Sequence, residues 1–364
     1  MTIQEISRCL EQFAPLELQE AYDNSGLIIG NPGLEVTSVL VTLDLTDEVL
    51  EEAIANGCNL VISHHPVIFN GIRKLVEENF VQRITAKAIR NNIAVYAMHT
   101  NLDNASAGLN AFVCDVLGIK NYSLLSPKTG LLSKLVTFCP AGHAERVKDA
   151  LFEAGAGHIG NYDCCSFNVE GRGSFRASEK ANPFVGEKNK LHFEEETRIE
   201  LIYPRYIEKR LITALIKNHP YEEVAYDCYP LDNAAAFAGS GRIGELEPEM
   251  NEDTFLEMVK DRLGIPVIRH SDKLGKPVKK VAICTGSGAF LIPEAIRSGA
   301  GFFLTSDIKY HDFFETDYKL VLADIGHYES ERFAKDLIRG VLIKKFPNFA
   351  VLISKINTNP VHYY

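Results

Sequence analysis

The order strand, helix, strand occurs near both ends of this chain, and its recurrence constrains the fold more than any other feature. In the N-terminal third, Ser38-Val39-Leu40-Val41-Thr42-Leu43-Asp44 reads as a buried strand, Thr46 to Asn56 as a capped amphipathic helix, and Leu60 to Ser63 as a second strand. Lys280 to Cys284, Leu291 to Ser298 and Phe302 to Leu304 repeat that order. Laying Glu52-Ala53-Ile54 on Glu294-Ala295-Ile296 also pairs Gly57 with Gly299 and Leu60-Val61-Ile62 with Phe302-Phe303-Leu304. His64 and His65 then fall opposite Ser306 and Asp307. A later strand follows in each half, Ile93 to Ala97 and Lys319 to Ala323, and each runs toward polar residues, Asp103 in one and His327 in the other. The expected fold class is α/β, with two pseudo-repeated α/β halves facing one cleft. Chance likeness between two such units is the alternative.

Between the halves, residues 129–234 have a different character. Leu135 to Pro140 is followed by a helical Ala144 to Ala154, Arg198 to Pro204 by a helical Ile207 to Asn218, and each helix by another strand candidate, Cys164 to Val169 and Val224 to Tyr229. The order β-α-β-β-α-β describes a ferredoxin-like α+β domain inserted into the core. The expected division is therefore 1–128, 129–234 and 235–364. Gly171 to Glu196, rich in Gly, Ser, Lys, Asn and Glu, reads as a mobile loop between the halves of the insert.

At 364 residues the chain exceeds a single ordinary core, in keeping with two or three units of roughly 100–200 residues each. Its formal charge of −10 repels polyanions, which makes nucleic acid an unlikely main partner. The eight cysteines show no C-x-x-C pair, so reduced thiols in a cytoplasmic protein are expected. No leader-like start and no apolar run of roughly 18 residues points to secretion or membrane insertion.

The candidate chemistry begins with Ser63-His64-His65-Pro66. Pro66 keeps the backbone at His65 extended or turned, and extended neighbours point to opposite sides. The two rings could therefore address two ions roughly 3.5–4 Å apart. Asp103, straight after an apolar strand, is either a bridging carboxylate or a helix cap. His99, four residues earlier, is a candidate for orienting a ligand. His327 and Glu331 share one face if the segment is helical. Asp307 and His311 lie where the repeat predicts the equivalent of the double histidine, and are the candidate catalytic pair. His311, with an ordinary pKa near ~6.5, would carry protons. Thr285-Gly286-Ser287-Gly288-Ala289 is a tight turn or a weak anion site. H-E-x-x-H, G-x-S-x-G, a Walker loop and a dinucleotide-binding G-x-G-x-x-G are all absent, which excludes zincin proteases, α/β-hydrolases and most dehydrogenases.

Tyr22-Asp23-Asn24-Ser25-Gly26-Leu27, Ser63 to Pro66, Thr100 to Asp103, Gly239 to Leu246, Thr305 to Asp312 and His327 to Glu331, in this order, resemble the Nif-three-like family. Its members are often named type 2 GTP cyclohydrolase I homologues, and the insert resembles the PII/CutA-like domain of longer members. The resemblance implies two divalent metal ions, Zn, Fe or Mn, held by His64, His65, Asp103, His327 and Glu331 in a core that assembles as a toroidal homohexamer. The expected function is a metal-dependent hydrolase acting on a small molecule such as a nucleotide or related ring. A dinuclear phosphoesterase and a metal-binding regulatory protein without catalysis are the alternatives.

Overall fold

Three sheets organise the computed structural model, which describes residues 1–364. The strands are, in chain order, β1 (Gly26–Ile29), β2 (Val39–Thr42), β3 (Leu60–Ser63), β4 (Ala94–Ala97), β5 (Lys120–Pro127), β6 (Leu132–Pro140), β7 (Phe167–Arg176), β8 (Leu191–Pro204), β9 (Tyr226–Leu231), β10 (Gly239–Met250), β11 (Arg269–His270), β12 (Val278–Ser287), β13 (Phe302–Ser306), β14 (Val321–Asp324) and β15 (Val351–Ile353). The chain forms two compact units, one from residues 1–127 with 237–364 and one from residues 128–236.

In the first unit, one sheet has the order β1-β4-β3-β2-β15. Every residue of β2, β3 and β4 is buried, the unbroken apolar run that parallel strands show when both faces are covered. Helix Asp47–Ala55 starts at Thr46, whose hydroxyl accepts from the Val49 N–H, and Asp47 and Glu48 complement the positive helix start. Val49, Leu50 and Ala53 of this helix then pack with Leu40, Val61 and Val95 of the sheet.

The second sheet of this unit has the order β11-β14-β13-β12-β10-β5. Its parallel centre repeats the first sheet in register. Val39 lies opposite Leu60 and Leu60 opposite Ala94; Val281 lies opposite Phe302 and Phe302 opposite Val321. The pairs Val39/Leu60 and Val281/Phe302 are the same pair under the superposition made in sequence. The two sheets differ at one edge, where β15 joins β2 in parallel but β10 joins β12 antiparallel.

In the second unit, β6, helix Ala144–Glu153, β7, β8, helix Glu208–Asn218 and β9 form an antiparallel sheet of order β7-β8-β6-β9, the ferredoxin-like arrangement. Val147, Leu151, Leu211 and Leu215 of the helices pack on Leu135, Ile199, Leu201 and Tyr203 of the sheet. The expected mobile loop from Gly171 to Glu196 is largely a hairpin instead: β7 and β8 pair from Phe167 opposite Glu200 to Arg176 opposite Leu191. Only residues 177–190 connect them. Phe167 to Arg172 of β7 are exposed on both faces, so this part of the ribbon lacks the apolar alternation that marks a half-buried strand.

His219 closes the end of the second helix of the insert. Its Nε2–H donates to the Phe138 carbonyl at 2.9 Å, and Nδ1 accepts from the Tyr221 N–H at 3.1 Å, so the ring is held neutral. Burial lowers its pKa, against the raising effect of the Phe138 carbonyl. The unfolded chain therefore binds the proton more readily, and the contribution of His219 is complete above about pH 6.5 and is lost as pH falls below it. The urea midpoint of the insert is expected to fall further between pH 7.5 and 5.5 in the wild type than in His219→Gln. Equal falls would rule out this residue as the source.

Candidate metal centre

The residues of interest stand at the carboxyl ends of parallel strands, where open α/β sheets place their sites. Asp44 follows β2, His64 and His65 follow β3, His99 and Asp103 follow β4, Asp307 follows β13 and His327 follows β14. Two sheets thus contribute to one cluster. His65 Nε2 lies 2.8 Å from Glu331 Oε2, His327 Nε2 lies 2.8 Å from the same oxygen, and the two ring nitrogens are 3.4 Å apart. His64 Nε2 is 3.8 Å from both Glu331 Oε2 and Asp103 Oδ1.

Each ring is oriented through its other nitrogen. Nδ1 of His64 donates to the Met98 carbonyl at 2.6 Å, that of His65 to Asp44 at 2.7 Å, that of His99 to Asp23 at 2.7 Å, and that of His327 to Asp307 at 2.7 Å. A carboxylate or carbonyl behind the imidazole fixes its tautomer and raises its basicity toward a metal. Asp23 is itself fixed by the Thr100 hydroxyl and the N–H groups of Asn24 and Thr100.

The electrostatics follow from crowding. Burial by itself would lower the His65 pKa, but hydrogen bonds to Asp44 and Glu331 outweigh it and push it up to about 10. The same balance, with Glu331 and Asp307, pushes His327 up to about 9. Full burial keeps His64 below the ordinary histidine value. Burial and the neighbouring Glu331 hold the Asp103 carboxyl well above the usual range. Burial would raise Glu331 as well, but the imidazoles around it hold it well below that range.

Two atoms decide what this cluster can hold. His64 Nε2 and Asp103 Oδ1 are buried and have no hydrogen-bond partner, although a buried polar atom is normally paired. The donors fall into three overlapping sets, His64/His65/His99, His65/His327/Glu331 and His64/Asp103/Glu331, each with ligand atoms within 4.8 Å of one another. Imidazole nitrogens and carboxylate oxygens at that spacing are the donor set of Zn, Fe or Mn, so the residues present fit such ions.

Local backbone makes the close approach workable. Gly286 has φ +64°, and a Cβ there would overlap the Glu331 carboxylate. Its N–H donates to the Ser330 hydroxyl at 3.1 Å. The Thr285 to Ala289 segment is therefore a tight turn that makes room for Glu331. His327 and Glu331 occupy a short helix, His327–Glu331, as their spacing requires.

His64, His65, Asp103, His327 and Glu331 are all brought together, but the candidate catalytic pair is placed differently. Asp307 accepts from His327 Nδ1 and from the Ser287 hydroxyl; burial would raise its carboxyl, yet these bonds hold it low. It orients His327 and is not a free acid. His311 is exposed on the turn Tyr310–Thr316, beside Tyr310 and Phe314, and lines no part of the cluster. Conversely, His99 presents a ring nitrogen to His64 and His65, nearer than its expected supporting role; Asp23, legible only as part of the Tyr22 to Leu27 motif, and Asp44 had no role assigned from sequence. An acid at the end of an apolar strand was the available signal for Asp44. Asp307→Asn is expected to weaken metal binding ~10–100-fold by freeing the His327 ring, measured by competition with a chromogenic chelator; unchanged affinity would remove Asp307 from this role.

A cavity of about 240 Å³ adjoins the cluster, lined by Asp103, His99, His327 and Glu331 together with the exposed residues Tyr22 and Phe290. No helix of the chain is long and apolar enough to cross a membrane.

Comparison with known proteins places this architecture. The family description Duf34/NIF3 (NGG1p interacting factor 3) matches residues 1–360. Proteins named GTP cyclohydrolase 1 type 2 homolog from Bacillus subtilis and Halalkalibacterium halodurans are 38% and 37% identical, each alignment covering 98% of this chain and 97% of the relative. The crystal structure of a Bacillus cereus protein related to NIF3 superposes with a TM-score of 0.86 at 37% identity, covering 100% of this chain and 99% of that one. Staphylococcus aureus protein SA1388 superposes with a TM-score of 0.78 at 32% identity, covering 100% of this chain and 99% of that one. The chain therefore belongs to the DUF34/NIF3 family.

Proposed function

We propose that this protein holds two divalent metal ions in the cluster of His64, His65, His99, Asp103, His327 and Glu331, and that it hydrolyses a small molecule bearing a nucleotide or related ring. The observation that carries this reading is the pair of buried, unpartnered atoms, His64 Nε2 and Asp103 Oδ1, facing a carboxylate already crowded by two imidazoles. The sharing of His64, His65 and Glu331 among the donor sets supports more than one ion.

Divalent ions here would supply Lewis acidity and make water a nucleophile near neutral pH. The chain supplies the rest. Asp44, Asp23 and Asp307 hold three imidazoles in a fixed tautomer, so no reorganisation is needed when a substrate arrives. Tyr22 and Phe290, both exposed and both lining the adjoining cavity, offer aromatic surface for a planar ring. The name carried by the relatives, GTP cyclohydrolase 1 type 2 homolog, is compatible with a guanine nucleotide as the ring-bearing substrate. The PII/CutA-like character of the insert is likewise our reading of its ferredoxin-like topology together with its sequence.

The test loads purified protein with Zn, Fe or Mn in turn, measures bound metal, and assays formate release from GTP and phosphate release from nucleotides. Turnover that disappears on chelation is the expected result. Bound metal with no turnover on any nucleotide would replace hydrolysis with a metal-binding regulatory role, and protein that takes up no metal would end both readings.

A further inference from the structure

We infer that the insert carries a binding site of its own, for an organic cation with an apolar body. The helix-free face of its sheet holds a cavity of about 560 Å³, more than twice the volume beside the metal cluster. Phe138 and Phe175 project from that face, and Phe184 and Tyr221 wall it from the β7–β8 connection and from the segment before β9. Tyr221 is the hub: its ring centroid lies 6.0 Å from Phe175 and 6.3 Å from Phe184. Four aromatic rings thus line one space.

Three carboxylates line the same cavity, Glu196, Glu222 and Glu223, against one cation, Arg176. None of the three is in an ion pair. Glu196 accepts from the Tyr221 hydroxyl at 2.8 Å, and Glu222 from the Asn182 N–H at 2.8 Å. The second Glu196 oxygen lies over Gly173, where a Cβ would overlap it, so the glycine makes room for the carboxylate on the strand. Aromatic faces attract cations through their quadrupoles, and unpaired carboxylates add to that attraction. A ligand with an ammonium group and a hydrocarbon body satisfies both, whereas an anion would meet three like charges.

The probe is phenethyltrimethylammonium, whose quaternary nitrogen cannot ligate a metal, compared with neutral 2-phenylethanol and anionic 3-phenylpropionate on the full-length chain. Calorimetry is expected to show saturable binding of one cation per chain, with both other probes at least ~5-fold weaker. Shifts of the Ala177 and Ala181 methyl signals, two residues of the cavity wall, would locate it. Glu196→Gln keeps the acceptor for Tyr221 and removes the charge, and Gly173→Ala displaces the carboxylate; each is expected to weaken the cation at least ~3-fold. Glu331→Ala, in the metal cluster, is expected to leave it unchanged. Equal binding of the three probes, preference for the anion, unshifted alanine methyls, or sensitivity to Glu331→Ala instead of Glu196→Gln would overturn the assignment.

Discussion

Glu331→Ala is expected to lower metal affinity by at least ~100-fold, the upper end of what losing even an outer partner of a ligand costs. Glu331 Oε2 is the one oxygen approached by the rings of His64, His65 and His327, and it joins donors of the first sheet to those of the second. Without it, each sheet retains imidazoles but no shared anion to offset the charge of an ion between them. Metal content after dialysis against a weak chelator measures the effect. The fold should survive, because the histidines can remain neutral once their carboxylate is gone and each keeps its Nδ1 partner. Stoichiometric metal in the variant, with wild-type retention on dialysis, would show that Glu331 is not a ligand.

The second large effect is on stability. Arg242 is 2% exposed and has no carboxylate within reach; its guanidinium donates to the carbonyls of Ala105 at 2.7 Å, Ser106 at 2.8 Å and Gly241 at 2.9 Å. Ala105 and Ser106 end the short helix that carries Asp103, so one side chain from the second half fixes a turn of the first. Arg242→Met would fill much of the volume but leave these carbonyls without donors. Hydrogen bonds to a charged group contribute about 1.5–3 kcal/mol each, and part of that loss is offset by no longer burying the cation. A net destabilisation on the order of 3 kcal/mol is expected in urea unfolding. Arg242→Lys should fall between, since a single ammonium cannot span both segments. A change below about 0.5 kcal/mol in Arg242→Met, the range of an ordinary surface substitution, would refute this account.

The parallel strands were legible because burial on both faces leaves an unbroken apolar run, as in Val39 to Val41 or Phe302 to Leu304. The ligand candidates were legible because they stand where those runs stop. The ribbon of β7 and β8 was not, since Glu170, Arg172 and Glu195 are solvated and carry no periodic signal. Nor could local sequence separate His99 from His311. Both follow apolar strands, and only the tertiary partner differs: His99 is turned inward by Asp23, 76 residues earlier, while His311 rests against exposed aromatic neighbours. Carboxylates that merely aim a ring, such as Asp44 and Asp307, are likewise chosen by three-dimensional proximity.

One strand pairing has a consequence for how the protein is made. β15 lies beside β2, so the edge of the sheet that carries His64 and His65 stays open until residue 353 has left the ribosome. Contacts this distant along the chain form slowly. A nascent chain released in order thus completes the sheet that carries His64 and His65 only as β15 docks, after every other strand of that sheet has emerged.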